Sequence, residues 1–336
     1  MSADRFAASG LPAKLAKARD AARAVGTIAP RRLPTPTNVI RRKGFPYVAP
    51  TVPRGVEPLP ETRNTGADYD TEWARSAPAR AARGAIIEGI LRPAVQALAK
   101  PEVFAVDRLN GLPDDESPVI FVANHHSHID TPLLLTVIPR SRRYKMVVGA
   151  AADYFFTTRL QSAFFSLTLG TIPIERQKVG RASANLAQSL IEGGYSLLLF
   201  PEGGRSPDGW GQPFRGGAAF LATRVGVPVV PIHVEGTGNI LGKGDSFPKR
   251  GKTRITFGTP IFPREHDART LAIAIEKAVA ELADEVMTDW WSARQRAATG
   301  ATPLLTGPTA VASWRRAWAL PDKAKRSAAK RTWPNI

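Results

Sequence analysis

Through the middle of the chain, short apolar runs alternate with amphipathic stretches. Runs at Val119–Ala123, Tyr144–Gly149, Ser196–Phe200, Val227–Val234 and Thr253–Phe257 have the length and β-branched content of buried strands. Between them, Ala182 to Glu192 places Leu186 and Leu190 on one face and stops at Gly193-Gly194, a helix C-terminal signal. Leu271, Ile275, Val279, Leu282 and Val286 recur every three or four residues, which predicts an amphipathic helix begun near Asp267. A shorter helix is expected over Pro132–Val137. Strands separated by helices predict an α/β fold, a layered, mixed and largely parallel sheet flanked by helices. In such sheets ligands bind beyond the carboxyl ends of the strands, so the residues that follow each strand are where chemistry is expected.

The flanks lack this alternation. Eight prolines fall between residues 27 and 62, and proline fixes φ and removes a backbone donor. Residues 1–83 therefore read as a Pro/Arg-rich flexible arm with one short helix around Ala13 to Ala24, 84–293 as the folded domain, and 294–336 as a basic, Trp-containing tail. No internal repeat is present. The formal net charge of +17 is divided unevenly. Residues 1–83 hold 15 basic and 7 acidic side chains, 294–336 hold 9 and 1, and the stretch between holds 22 and 21. The basic character thus belongs to the flanks.

With 43% apolar residues the middle can bury a full core. The chain has no cysteine, which excludes disulfides, thiolate metal sites and Cys nucleophiles. The first residues carry no continuous apolar run of the secretory kind, and no stretch reaches the roughly 18 uncharged apolar residues of a membrane span. The longest, Leu160 to Ile174, is interrupted by Gln161, Ser162, Ser166, Thr168 and Thr171. The expectation is a cytoplasmic protein, soluble or lying on a surface.

Three segments carry candidate chemistry. Asn124-His125-His126-Ser127-His128-Ile129-Asp130 follows the first strand and holds three of the five histidines. His125 and Asp130, five apart, do not share a helix face, but a tight turn would set the carboxylate against the imidazole. That pairing suits a general base acting on a hydroxyl. Two other readings stand beside it: Asp130 as the N-cap of the next helix, and the histidines as metal ligands, for which no HExxH or comparable spacing exists. The second segment is Gly170-Thr171-Ile172-Pro173-Ile174-Glu175-Arg176, and the third, after another strand, is Phe200-Pro201-Glu202-Gly203-Gly204-Arg205-Ser206. Glycines beside an arginine let backbone amides and a guanidinium approach an anion, although such turns are also common without function. No GxSxG, GxxxxGK[ST] or GxGxxG pattern occurs, so serine-hydrolase, P-loop and dinucleotide readings lose their markers.

Taken in order, these segments resemble the motifs of the glycerolipid acyltransferase family, the 1-acylglycerol-3-phosphate acyltransferases and their relatives. Asn124, His125, Ser127 and Asp130 match its Asn-His-x-Ser-x-x-Asp motif. Gly170, Ile172, Ile174 and Arg176 match the second motif, and Phe200, Pro201, Glu202, Gly203, Arg205 and Ser206 the third. Val227-Pro228-Val229-Val230-Pro231 matches the fourth, and Phe214-Arg215-Gly216-Gly217 resembles the segment before it. The likeness covers roughly residues 84–260. It implies that His125, oriented by Asp130, removes a hydroxyl proton for attack on an acyl thioester, with no cofactor and no metal. It further implies that Arg176, Glu202, Gly203 and Arg205 hold the phosphate and glycerol of a lysophospholipid acceptor. The donor implied is acyl-CoA or acyl carrier protein. Gly204 replaces the family's usual Thr, Glu175 stands where Asp is frequent, and Ala150-Ala151-Ala152-Asp153 stands where a Lys-bearing segment is common. These departures touch the acceptor more than the reaction, and acyl transfer to a different hydroxyl is the neighbouring alternative.

An acceptor in a bilayer requires contact with one. Residues 84–99 are mostly apolar with Pro93 set to kink them, and five of seven tryptophans lie after residue 289, at 290, 291, 314, 318 and 333. Basic residues between aromatic rings suit an anionic headgroup layer, which implies peripheral membrane association. The rival class is a nucleic-acid binder without catalysis, but the neutral middle carries no recognition motif, so no specific nucleic acid is expected.

Overall fold

The computed structural model describes residues 66, 69–175, 181–206 and 209–307. The short helix expected at Ala13–Ala24, Arg176, and the tryptophans at 314, 318 and 333 lie outside them.

One seven-stranded sheet organises the domain: β1 (Pro101–Phe104), β2 (Ile120–Ala123), β3 (Met146–Ala151), β4 (Thr171–Ile174), β5 (Ser196–Leu199), β6 (Val229–Glu235) and β7 (Thr253–Phe257). Their spatial order is β1-β7-β6-β2-β5-β3-β4. Every neighbouring pair is parallel except β6 and β7. The five apolar runs read from sequence all form strands, within two residues at each end. β1 and β4 are additions, the first a largely exposed edge and the second hidden in the second motif.

The principal helices are α1 (Ala77–Ile86), α2 (Arg92–Ala99), α3 (Asp130–Val137), α4 (Arg159–Leu169), α5 (Arg181–Glu192), α6 (Gly217–Val225), α7 (Ala268–Met287) and α8 (Trp290–Thr299). They cover both faces of the sheet. β2 is buried on both sides: Phe121 and Ala123 face Leu133, Leu134 and Ile87, while Ile120 and Val122 face Ala187, Ile191, Ala222 and Ile275. Two-sided burial is why its sequence reads as a continuous apolar run. α7 begins where the pattern predicts, with Asp267 Oδ1 accepting the Thr270 N–H at 2.7 Å. Among the described residues, no helix is long and apolar enough to cross a membrane.

Packing begins before residue 84. α1 lies against α4, and Arg83 is buried, donating to the carbonyls of Ala74, Ser166 and Leu167. Packing also runs past residue 293: Arg296 of α8 grips the fully buried Asp284 of α7 through two bonds of 2.7 and 2.8 Å. Between α1 and α2, Ile87–Leu91 form a π-helical turn. Pro93 lacks an N–H and crowds the carbonyl four residues back, and the widened turn absorbs that loss. Ile87, Val95 and Ala99 of this stretch face the core, and Ile90 points outward at 62% exposure.

The parallel strands β2 to β6 present their carboxyl ends along one edge, with the first and third candidate segments beyond it, while the second contains β4 itself.

Candidate active site

The segment after β2 turns back on itself within one loop. Asn124 continues the ladder with its side chain, its Nδ2 donating to the Val234 carbonyl at 2.8 Å and its Oδ1 accepting the Val234 N–H at 2.7 Å. Ser127 Oγ donates to the Leu241 carbonyl at 2.7 Å. Held at both points, the loop brings Asp130 Oδ2 to 2.8 Å from His125 Nδ1. The same oxygen accepts the main-chain N–H of His126 and of Ser127, each at 2.8 Å. Asp130 therefore looks backward into the loop and is the first residue of α3 rather than its cap. Burial of Asp130 pushes its carboxyl up, but the His125 bond and charge and the Thr237 hydroxyl outweigh this and hold it below its ordinary value. An ionised carboxylate can only accept, so Nδ1 of His125 carries the hydrogen. The His125 ring stacks on Phe200 with centroids 4.2 Å apart and keeps 15% side-chain exposure.

The loop after β5 clasps this one by its main chain. Glu202 Oε1 accepts the His125 N–H and Oε2 the Gln212 N–H, both at 2.9 Å. The Ser206 N–H donates to the His125 carbonyl at 2.7 Å. Glu202 is 3% exposed, so its carboxylate faces inward, and burial pushes it up to about 8 against the pull of the two amides. Gly203 sits at φ +69°, and a Cβ there would lie 2.8 Å from Arg215 Nε. The Arg215 guanidinium thus packs against the glycine, whose left-handed φ is what favours glycine here. Arg205, half-buried, belongs to the same turn and its charge reaches His128.

His128 is not a partner of Asp130. Its ring stacks on Tyr154 at 5.1 Å and meets the edge of Phe155 at 5.9 Å. Burial, aided by the charges of Arg205 and His125, lowers it to about 4, so it is neutral near pH 7.

The structure thus brings together His125, Asp130, Glu202, Gly203 and Arg205 at the carboxyl end of the sheet, while Arg176 falls outside the described residues. Sequence reading missed Gln212 and Thr237. Neither sits in an informative pattern, although Thr237 follows β6 directly and position after a parallel strand was the available signal.

Residues 102–235 match the family model described as Acyltransferase. A chloroplastic 1-acyl-sn-glycerol-3-phosphate acyltransferase of Brassica napus is 31% identical over 165 residues, 48% of this chain and 46% of the relative. Its counterpart in Arabidopsis thaliana is 29% identical over 165 residues, 48% and 44% of the two chains. The alpha form of the enzyme from Mus musculus is 25% identical over 184 residues, 51% and 61% of the two. The chain spans about half the length of the curated relatives it matches. Among solved structures, the 1-acyl-sn-glycerophosphate acyltransferase PlsC of Thermotoga maritima shares the fold with a TM-score of 0.51 at 23% identity, over 66% of this chain and 85% of that one. Residues 102–235 thus match an acyltransferase domain, similar in sequence to 1-acyl-sn-glycerol-3-phosphate acyltransferases and, across the sheet, similar in fold to PlsC.

Proposed function

We propose that the chain transfers a fatty acyl group from a thioester donor, acyl-CoA or acyl carrier protein, to the hydroxyl of a lysophospholipid such as 1-acylglycerol-3-phosphate. The observation that carries this reading is the 2.8 Å contact between His125 Nδ1 and an ionised, buried Asp130 at the carboxyl end of β2. With Nδ1 committed, Nε2 of His125 takes the acceptor's hydroxyl proton as its oxygen attacks the thioester carbonyl. The tetrahedral oxyanion then collapses, the C–S bond breaks, and the imidazolium returns its proton to the departing thiolate. General-base help of this kind is worth roughly 10²–10⁴ in rate.

Arg205, and Arg176 after β4, hold the acceptor's phosphate, for which a planar guanidinium offers paired donors. Glu202 and Gly203 act on the acceptor through the loop's shape: the first by gripping the His125 main chain, the second by admitting Arg215. The relatives' names, which specify 1-acyl-sn-glycerol-3-phosphate, support this acceptor. The protein works at an anionic membrane surface as a peripheral, cytoplasmic enzyme, held by its basic flanks and exposed tryptophans.

Because the chain has no cysteine, thiol-reactive dye reports released CoA without background from the protein. Wild type with acyl-CoA and lysophosphatidate should release thiol, and His125→Ala should abolish release while the protein keeps its melting temperature. Undiminished release by the variant would overturn the role of His125. Release with other hydroxyl acceptors but not with lysophosphatidate would overturn the acceptor.

A further inference from the structure

Asp130 is fully buried, yet its two oxygens are treated unequally. Oδ2 collects three donors, whereas Oδ1 has none among the described residues. Oδ1 is thus left without any of the stabilisation that Oδ2 receives, and an unpaired buried oxygen of this kind is costly. One other buried oxygen at this place is equally unpaired: Oγ1 of Thr237, a residue with 0% exposure.

The backbone puts Thr237 there by three ties. Asn124 pairs with Val234 just before it, Ser127 with Leu241 just after it, and a Cβ on Gly238 would lie 3.7 Å from His126 Cβ. The turn itself is committed by Gly236, at φ +88° with the Lys252 carbonyl 2.3 Å from where a Cβ would be.

We propose that Thr237 is a positioning residue of the dyad: its hydroxyl donates to Asp130 Oδ1 and holds the carboxylate with Oδ2 turned toward His125. The inference rests on the reading of His125 and Asp130 given above. The pull of the Thr237 hydroxyl on the Asp130 carboxyl agrees with it.

The test compares Thr237→Val, which keeps the volume and loses the hydroxyl, with Thr237→Ser, which does the reverse. Thr237→Val should lower kcat by roughly ten- to a hundredfold with KM for donor and acceptor unchanged, and Thr237→Ser should stay near wild type. Without any substrate, the pH of half-unfolding in acid should rise by about half a unit in Thr237→Val, because the Asp130 carboxylate loses a donor and protonates earlier, and should hold in Thr237→Ser. Equal effects of the two variants on kcat and on the acid midpoint would mean packing alone and overturn the proposal, as would a Thr237→Val protein that matches wild type in both. If Thr237→Val fails to fold, Thr237→Ser still decides: an unshifted acid midpoint supports the hydroxyl and a raised one refutes it. The acid midpoint needs no turnover, so failure of the proposed reaction would leave this result standing.

Discussion

The main-chain N–H of His125 donates to Glu202 Oε1 at 2.9 Å, so the loop after β5 holds His125 by its backbone as well as by the stacking of its ring on Phe200. The other oxygen holds Gln212, and the whole carboxyl is buried. Burial raises its proton affinity from the ordinary 4.5 to about 8.

That shift predicts a stability profile with a defined sign. Between about pH 5 and 8 the folded protein keeps a proton on Glu202 that the unfolded chain has released, so stability falls as pH rises through this window. Asp130, held below its ordinary value, changes stability only at lower pH and does not mask the slope. Glu202→Gln cannot accept both amides and should cost about 1–3 kcal/mol at pH 5, with the gap to wild type closing toward pH 9. Thermal unfolding across the series reads this directly; parallel curves for the two proteins would refute it.

Asp130→Asn keeps the shape and removes the charge. An amide leaves His125 free to place its hydrogen on Nε2, the nitrogen that the proposed transfer needs as base. Thiol release should fall by roughly 10²–10⁴, mostly in kcat. Steady-state kinetics with both substrates varied will separate this from a loss of binding.

The sequence made the strands legible wherever both faces are covered, because burial on two sides leaves an unbroken apolar run, as in β2. β4 escaped because Thr171–Ile174 follows α4 directly, and the two merge into one apolar stretch parted only by Gly170. β1 escaped because Glu102, Val103 and Phe104 are exposed and carry no alternation. α1 lay in a segment that reads as basic and solvated, yet Arg83 is buried on carbonyl oxygens, a partner no charge count reveals. The contact between His125 and Asp130 was one of several readings the spacing allowed, and the resemblance to the Asn-His-x-Ser-x-x-Asp motif singled it out. The inward turn of Glu202 was not legible, since it depends on amides from two separate loops.

His128 offers a substitution expected to stabilise. Its Nε2 is buried with no partner among the described residues, and its ring serves as one member of a stack with Tyr154. His128→Phe keeps the stack and removes the orphaned nitrogen, so the melting temperature should hold or rise at pH 7. In acid the advantage should grow: the unfolded imidazole binds a proton near 6.5 and the folded one only near 4, so wild type loses stability across that interval and the variant does not. A variant that melts lower than wild type at both ends would show that the imidazole is paired in solution.

α8 is tied to α7 by a fork, Arg296 on the buried Asp284 with both contacts under 3 Å, and by Arg294 on Glu281 at 3.7 Å. Arg296→Ala strands a buried charge and should cost about 3–5 kcal/mol. Arg296→Lys cannot reproduce the two-pronged contact and should recover only part of it. Chemical denaturation measures the loss, and limited proteolysis should show cleavage near residues 294–300 appearing first.

Trp290 and Trp291 stand side by side at the start of α8, 52% and 64% exposed, with ring centroids 6.3 Å apart. Rings left in water on a folded surface cost the fold little to remove but contribute to partition into a headgroup layer, at roughly 25 cal/mol per Å² covered. If each ring covers about 50 Å², the pair contributes about 2.5 kcal/mol, or well over tenfold in vesicle partition. The basic flanks add an attraction that salt screens, with a Debye length of about 8 Å at physiological ionic strength. The two contributions therefore separate by salt. Replacing both tryptophans by alanine should lower partition onto anionic vesicles by a similar factor at low and high salt, whereas raising salt should weaken wild type and variant alike. Co-sedimentation with vesicles, with the melting temperature as the control for folding, distinguishes these effects; partition by the double variant equal to wild type at both salt concentrations would place the membrane contact elsewhere on the chain.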